Sequence, residues 1–289
     1  MMQLAVPLPD GYRLADVLAF HARDAEGVAE QVDAAGFRKG VMLAGVPVRF
    51  DVQFSGDTAA CTLTADGVLP DLAAEAVPGM LALRIDPAPF AALVRADPLL
   101  GPVVARAPGL RIVQSASVFE ALTWAIIGQQ INVSFAIALR RTLIQQTGRR
   151  HSSGLWCYPE AADVAALDVD ALTSRKFSRA KAETILRLAQ LVAAGELSLA
   201  RDAPLAQVVP ALLAVKGIGP WTVNYALLRG YGAADCSLHG DVAVRSALQR
   251  LLGDTVKPSI ADTETLLARY QPHRTMAAAY LWHSLADQA

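Results

Sequence analysis

A change of hydrophobic period near residue 105 constrains this 289-residue chain more than any other feature. From Phe37 to Leu63 the apolar residues recur at every second position: Val46, Val48, Phe50, Val52 and Phe54 alternate with Pro47, Arg49, Asp51 and Gln53. A period of two places one set of side chains on one face of a half-buried strand. Gly56-Asp57 is a turn signal, and a second strand runs through Cys61 and Leu63. Ahead of these strands, Leu14 to His21 and Ala25 to Ala35 have helical composition. From Ser117 onward alanine and leucine recur at spacings of three and four, the period of a helix with one buried face. The expected fold class is therefore α+β: an N-terminal domain over residues 1–105 with an antiparallel sheet and helices, followed by an all-α domain over residues 106–289.

Within the helical half, Val215-Lys216-Gly217-Ile218-Gly219-Pro220-Trp221-Thr222 reads as a tight glycine turn opening a helix. Glycine takes positive φ at no steric cost and leaves backbone N–H groups uncovered. Proline suits the first helical turn, and the free N–H groups behind it form the positive end of the helix dipole, where a phosphate is favoured. The three residues Gly-Ile-Gly would equally serve a helix-to-helix turn in a structural bundle. Asp241 follows at the expected start of the next helix, where a carboxylate is a good cap, so capping alone would also explain it.

The flanking residues extend the pattern. Leu212 through Tyr225, then Arg229-Gly230, Asp235, Asp241 and Arg245, resemble the signature of helix-hairpin-helix DNA glycosylases, and most resemble the 3-methyladenine DNA glycosylase II branch. Upstream, Phe119-Glu120-Ala121-Leu122 through Ile131 is similar to that branch's first DNA-facing helix, and Arg274 through Trp282 to its last helix. The matches run in family order over roughly residues 108 to 285.

That resemblance implies the following site. Asp241 is the catalytic carboxylate, steadying the cationic sugar of an extruded nucleotide or activating water. Asp235 is a weaker candidate, expected to brace the preceding loop. Trp221, Tyr225 and Trp282 fall on positions of the aromatic base pocket, while Trp124 has no such assignment and reads as packing. Singly, each of these aromatics is as readily a core residue. The hairpin residues Val215, Gly217, Ile218 and Gly219 are expected at the DNA backbone. Gln129 lies beside the gap left by the flipped base, and Gln130, where the branch has leucine, stands at the wedge position. Strand-cleaving relatives carry a lysine two residues after the second hairpin glycine; here that place is Trp221, so base removal without strand cleavage is expected. The partner implied is duplex DNA containing alkylated bases, acted on by a monomer. No organic, redox or metal cofactor is implied, although the hairpin carbonyls of relatives can hold a monovalent cation. Rival readings are a non-catalytic DNA-binding module and a glycosylase for mismatched or oxidised bases.

Composition narrows the remaining classes. Hydrophobic residues make up 53% and charged ones 18%, which argues against disorder. The three cysteines, Cys61, Cys157 and Cys236, are too few and too scattered for a disulfide framework or zinc site, and none follows Cys236 to build the iron–sulfur loop of some relatives. No apolar run spans a bilayer, so a cytoplasmic location is expected. The net charge of −1 hides an asymmetry: residues 106–190 carry 11 Lys/Arg against 6 Asp/Glu, whereas residues 1–105 carry 7 against 13. Arg140-Arg141, Arg149-Arg150, Arg175, Lys176, Arg179 and Lys181 are thus candidate phosphate contacts, with solvated faces as the plainer explanation for any pair.

Overall fold

The computed structural model describes residues 1–286. Five strands, β1 (Met2–Pro7), β2 (Glu30–Val32), β3 (Gly36–Leu43), β4 (Val46–Ser55) and β5 (Thr58–Ala65), form one antiparallel sheet in the order β1-β5-β4-β3-β2. The alternation read in the sequence is the pleat of β4: Val48, Phe50 and Val52 are fully buried, while Arg49, Asp51 and Gln53 face outward. Gly56, at positive φ, turns β4 into β5.

Helices α1 (Leu14–His21) and α2 (Leu72–Met80) belong with the sheet, α2 being followed by α3 (Ala88–Leu93) and α4 (Gly101–Arg106). The helical part comprises α5 (Val118–Gly128), α6 (Val133–Thr147), α7 (Ala161–Ala165), α8 (Val169–Thr173), α9 (Arg179–Ala193) and α10 (Leu205–Leu213). It closes with α11 (Pro220–Ala226), α12 (Val242–Leu252), α13 (Ile260–Ala268) and α14 (Arg274–Ala286). A π-turn over Leu227–Tyr231 continues α11. The core around these helices also takes in Ile85, Phe90, Val94, Leu100 and Val103 from before residue 106.

Two expectations are corrected. Ala25 to Ala35 is not helical. Gly27 takes φ 60°, Asp24 and Asp33 accept hydrogen bonds from the N–H groups of Glu26 and Ala35, and Glu30–Val32 pairs with β3. Local Asp turn chemistry and strand pairing outweigh a weak helical propensity there. The chain after Ser117 is also not wholly helical. Because β2 has only three residues, the far half of β3 lacks a partner, and Tyr158 supplies one: its N–H donates to the Gly40 carbonyl (2.9 Å) and its carbonyl accepts from Met42 N–H (2.8 Å). An unpaired buried backbone edge is costly, so the loop after α6 is held extended.

Where the sheet meets the helices lies a cluster of buried ions. Glu30 of β2 and Lys39 of β3 are cross-strand partners, and the Lys39 ammonium reaches both Glu30 (2.6 Å) and Glu120 of α5 (2.7 Å). The Arg140 guanidinium of α6 contacts the same two carboxylates at 3.1 and 2.9 Å. All four side chains are at most 1% exposed. Burial acts to raise both carboxyls, but Arg140 and Lys39 outweigh it and hold Glu30 and Glu120 below the ordinary range.

Removing one member strands the opposite charges, so Glu120→Gln is expected to lower stability by about 3 kcal/mol at neutral pH, read from the urea midpoint. A depressed carboxyl contributes stability above its unfolded pKa of about 4.3 and loses it as pH falls through the lower folded value, so the deficit of Glu120→Gln should shrink in acid. An undiminished deficit at low pH would contradict the electrostatic origin.

Candidate active site and nucleic-acid interface

The glycine turn joins α10 to α11. Gly217 takes φ 98°, and a Cβ there would lie 2.0 Å from Thr184 Oγ1 on α9, so glycine is required both by conformation and by contact. Gly219 differs from the expectation of positive φ. Its φ of −106° and ψ of 178° are ordinary extended values, and a Cβ would meet no atom within 4 Å. What its missing side chain leaves is an uncovered approach to the start of α11. The Val215 and Ile218 side chains are buried, so only their backbone faces outward.

Gln129, which closes α5, turns inward: its amide donates to the Gly217 carbonyl (3.2 Å) and to Thr222 Oγ1 (2.9 Å), bracing the turn. Gln130 is exposed, with φ 55°, in the link to α6. The carbonyls of Lys216 and Val215 accept from Arg187 (3.1 Å) and from Ile218 N–H (3.0 Å). No group of three or more His, Cys, Asp or Glu side chains able to hold a metal occurs among the described residues.

Asp241 stands immediately before α12 and is 9% exposed. Its Oδ1 accepts from Val244 N–H (2.9 Å), the helix cap anticipated on sequence grounds. The same carboxylate also accepts the indole N–H of Trp282 at Oδ1 (3.1 Å) and of Trp221 at Oδ2 (2.8 Å). Capping therefore uses one lone pair of a carboxylate whose remaining acceptors are aimed by two tryptophans from α11 and α14. Tyr225 completes the group, its ring 5.5 Å from Trp221 and 6.2 Å from Trp282. Asp235 lies outside it, paired through both oxygens with Arg274 (2.7 and 2.9 Å). Burial acts to raise the Asp235 carboxyl, but the hydrogen bonds from Arg274 hold it below its ordinary value.

Sequence reasoning missed the other half of the constellation. Trp124 does more than pack: its indole N–H donates to the Tyr225 hydroxyl (2.9 Å). The Arg23 guanidinium, just beyond α1, lies 4.1 Å from the Phe20 ring centroid and 4.6 Å from that of Trp124. Arg229, on the π-turn, lies 4.8 Å from Phe20 and 5.6 Å from Trp282. The contacts close into a ring that runs from Asp241 through Trp282, Arg229 and Phe20 to Arg23, and back through Trp124, Tyr225 and Trp221. All but Asp241 are partly exposed, so the ring reaches the surface. Arg229 falls inside the hairpin motif and was within reach of sequence reasoning, whereas Phe20 and Arg23 carry no local signal.

A family model described as "HhH-GPD superfamily base excision DNA repair protein" matches residues 123–272, more than half of the chain. The chain belongs to the HhH-GPD superfamily. It is 30% identical over 205 residues to the DNA-3-methyladenine glycosylase of Bacillus subtilis (strain 168), covering 69% of this chain and 68% of that protein. It is 31% identical over 187 residues to DNA-3-methyladenine glycosylase 2 of Escherichia coli (strain K12), covering 64% of each. The alignment thus spans about two thirds of these relatives' length. In fold, the chain is similar to a 3-methyladenine DNA-glycosylase from Archaeoglobus fulgidus, with a TM-score of 0.82 at 22% identity over 99% of this chain and 98% of that one.

As an HhH-GPD protein the chain has fewer free cations than its sequence suggested. Arg140 is committed to the buried ion cluster and Arg141 is paired with Asp24 and Glu26. Arg149 pairs with Asp163, Arg150 stacks on Trp156, and Lys181 donates to the Ile127 carbonyl (2.6 Å). Arg175, Lys176 and Arg179 remain exposed, Arg179 with only loose contacts to Asp170 and Glu183. The excess of positive charge over residues 106–190 is mostly structural.

The two hairpin glycines should separate experimentally. Gly217→Ala meets both positive φ and Thr184, and is expected to cost about 2–4 kcal/mol of stability in chemical denaturation. Gly219→Ala should change stability by less than about 0.5 kcal/mol while weakening binding to duplex DNA. Equal stability losses would refute the distinction.

Proposed function

We propose that this chain is a monofunctional DNA glycosylase that extrudes alkylated, 3-methyladenine-type purines from duplex DNA and hydrolyses their N-glycosidic bond, the opening step of base excision repair. The observation that carries this reading is the Asp241 carboxylate, held by the indoles of Trp221 and Trp282 within a partly exposed aromatic cluster beside the glycine turn. The names of the Bacillus subtilis and Escherichia coli relatives support the same substrate class.

The chemistry follows from those positions. A ring-alkylated purine is cationic and leaves readily, so the enzyme's task is to hold the nucleotide out of the duplex and to stabilise the sugar. The turn and the start of α11 offer backbone N–H groups to a phosphate, and Gln130, exposed at the bend after α5, is the side chain in reach of the vacated stack. Asp241 then meets the positive charge developing on the sugar. Its three N–H donors fix its position before the reaction, which avoids reorganisation at the barrier. Trp221 occupies the place of the lysine in strand-cleaving relatives and is engaged with Asp241, so no amine is offered to the sugar carbon. The reading includes action as a monomer with no organic or redox cofactor. With the Val215 and Lys216 carbonyls already accepting hydrogen bonds, a monovalent cation at the turn would have to share them.

Incubation with methylated duplex DNA and mass spectrometry of the released bases tests the proposal directly. The protein is expected to release 3-methyladenine and to form no covalent complex on borohydride treatment. Asp241→Asn should lower the single-turnover rate on the order of 100- to 1,000-fold while still binding duplex DNA. Full activity of Asp241→Asn would favour a role without this carboxylate, and a borohydride-trapped complex would favour a lyase.

A further inference from the structure

Helix α5 ends at the bend that carries Gln129 and Gln130, and its last turn contains no basic residue. The final carbonyls of a helix form the negative end of its dipole and need donors or cations from elsewhere. Here one comes from α9: the Lys181 ammonium donates to the carbonyl of Ile127, the penultimate residue of α5, at 2.6 Å. Lys181 is misplaced for its own helix. It sits in the first turn of α9, its N–H held by the Ser178 cap (3.3 Å), where the α9 dipole disfavours a cation. Its charge serves α5 instead. The same side of α9 meets the glycine turn, since Thr184 fills the space beside Gly217 and Arg187 donates to the Lys216 carbonyl (3.1 Å). Lys181, Thr184 and Arg187, three residues apart, thus set the spacing between the end of α5 and the turn, and Gln129 bridges the two. Beyond that bridge Gln130 is exposed at φ 55°, a conformation that a residue with a side chain keeps only where its surroundings hold it.

We propose that Lys181 is a positioning residue for base extrusion: by anchoring the C-terminal end of α5, it holds the bend at Gln130 in the shape that fills the gap left by the flipped nucleotide. This rests on the glycosylase reading above. The consequence differs from that of a phosphate contact. A lysine on a phosphate strengthens binding to every duplex alike and steepens the salt dependence by about one ion. Lys181, with its ammonium committed to Ile127, acts on the step that separates a duplex with a gap in its stack from an intact one. It touches no substrate atom, and its effect passes through the bend.

Three quantities are measured for the natural protein, Lys181→Met and Lys181→Arg: affinity for an intact duplex, affinity for the same duplex carrying a tetrahydrofuran abasic-site analogue, and the single-turnover rate of 3-methyladenine release from methylated duplex at saturating protein. Lys181→Met is expected to lower both the preference for the abasic-site duplex and the saturated rate about 10-fold, the lower end of what a hydrogen bond from a charged group contributes. Its affinity for intact duplex and the salt dependence of that affinity should stay within about twofold of the natural protein's. Lys181→Arg keeps the charge and the donors, and should restore preference and rate to within about threefold. Thermal melting reports whether Lys181→Met is folded; if it is not, Lys181→Gln, a shorter and neutral donor, replaces it, and the same two readouts are expected to fall. A folded variant that keeps both preference and rate overturns the inference. So does one that binds intact duplex more weakly with a salt slope smaller by about one, the signature of a phosphate contact. Either result leaves the glycosylase reading intact, whereas a natural protein that releases no 3-methyladenine overturns both.

Discussion

Four charges excluded from water hold the two halves of this molecule in register. Glu30 and Lys39 come from neighbouring strands, Glu120 from α5 and Arg140 from α6, and the two contacts that cross between sheet and helices, Lys39 to Glu120 and Arg140 to Glu30, form only when the two are docked as they are. Taking each ion out of water costs several kcal/mol, which the pairing offsets only with good geometry. Such a cluster adds little net stability compared with apolar packing. Its effect is to penalise any other docking, since a shift of a few ångströms would leave a buried charge without a partner.

That constraint reaches the candidate site through short covalent paths. Lys39 and Glu30 fix β3 and β2, and His21 at the end of α1 stacks on Phe37 of β3 with ring centroids 3.9 Å apart. Phe20 and Arg23 flank His21 along the chain, so their placement against Trp124 and Arg229 depends on the same junction. On the helical side, Glu120 lies one turn before Trp124 in α5, and the helix ends at Gln129, which braces the glycine turn. One buried cluster therefore aligns a wall from the N-terminal half, the aromatics around Asp241 and the backbone turn.

What was legible in the sequence follows from whether the cause is local. The pleat of β4, the turn at Gly56 and the helix at Leu14–His21 are set by neighbours along the chain, and the period of two or the change to three and four displays them. The strand at Glu30–Val32 exists because β3 lies beside it, and the extended stretch ending at Tyr158 exists because β2 is short. The second cause lies far off in sequence, and the first is a hairpin partner of a strand too short, at three residues, to display a period of two. The site divides the same way. Gly217, Trp221, Tyr225 and Asp241 sit within 25 residues and form a recognisable motif, whereas Arg23 reaches Trp124 across about 100 residues of intervening chain. Net charge misled for a related reason: a count along the sequence cannot distinguish Arg140, sealed between two carboxylates, from Arg179 in solvent.

The distribution of charge around the site also bears on which bond can break there. With Asp241 as its carboxylate and Arg23 and Arg229 as its guanidinium groups, the aromatic cluster carries a fixed dipole. A reaction that leaves the sugar positive and the base less positive than before moves charge along that dipole, so the cluster is already polarised in the required sense and need not reorient. A hydrolysis passing through a negatively charged intermediate beside Asp241 would run against it. On the proposed reading, the pull of Asp241 on the sugar suffices for bases that carry their own positive charge, and the aromatic faces contribute attraction of about 0.5–2 kcal/mol each. Two of those rings, Phe20 and Trp124, lie against Arg23, whereas Trp221 and Trp282 donate to Asp241 directly and Tyr225 lies beside both.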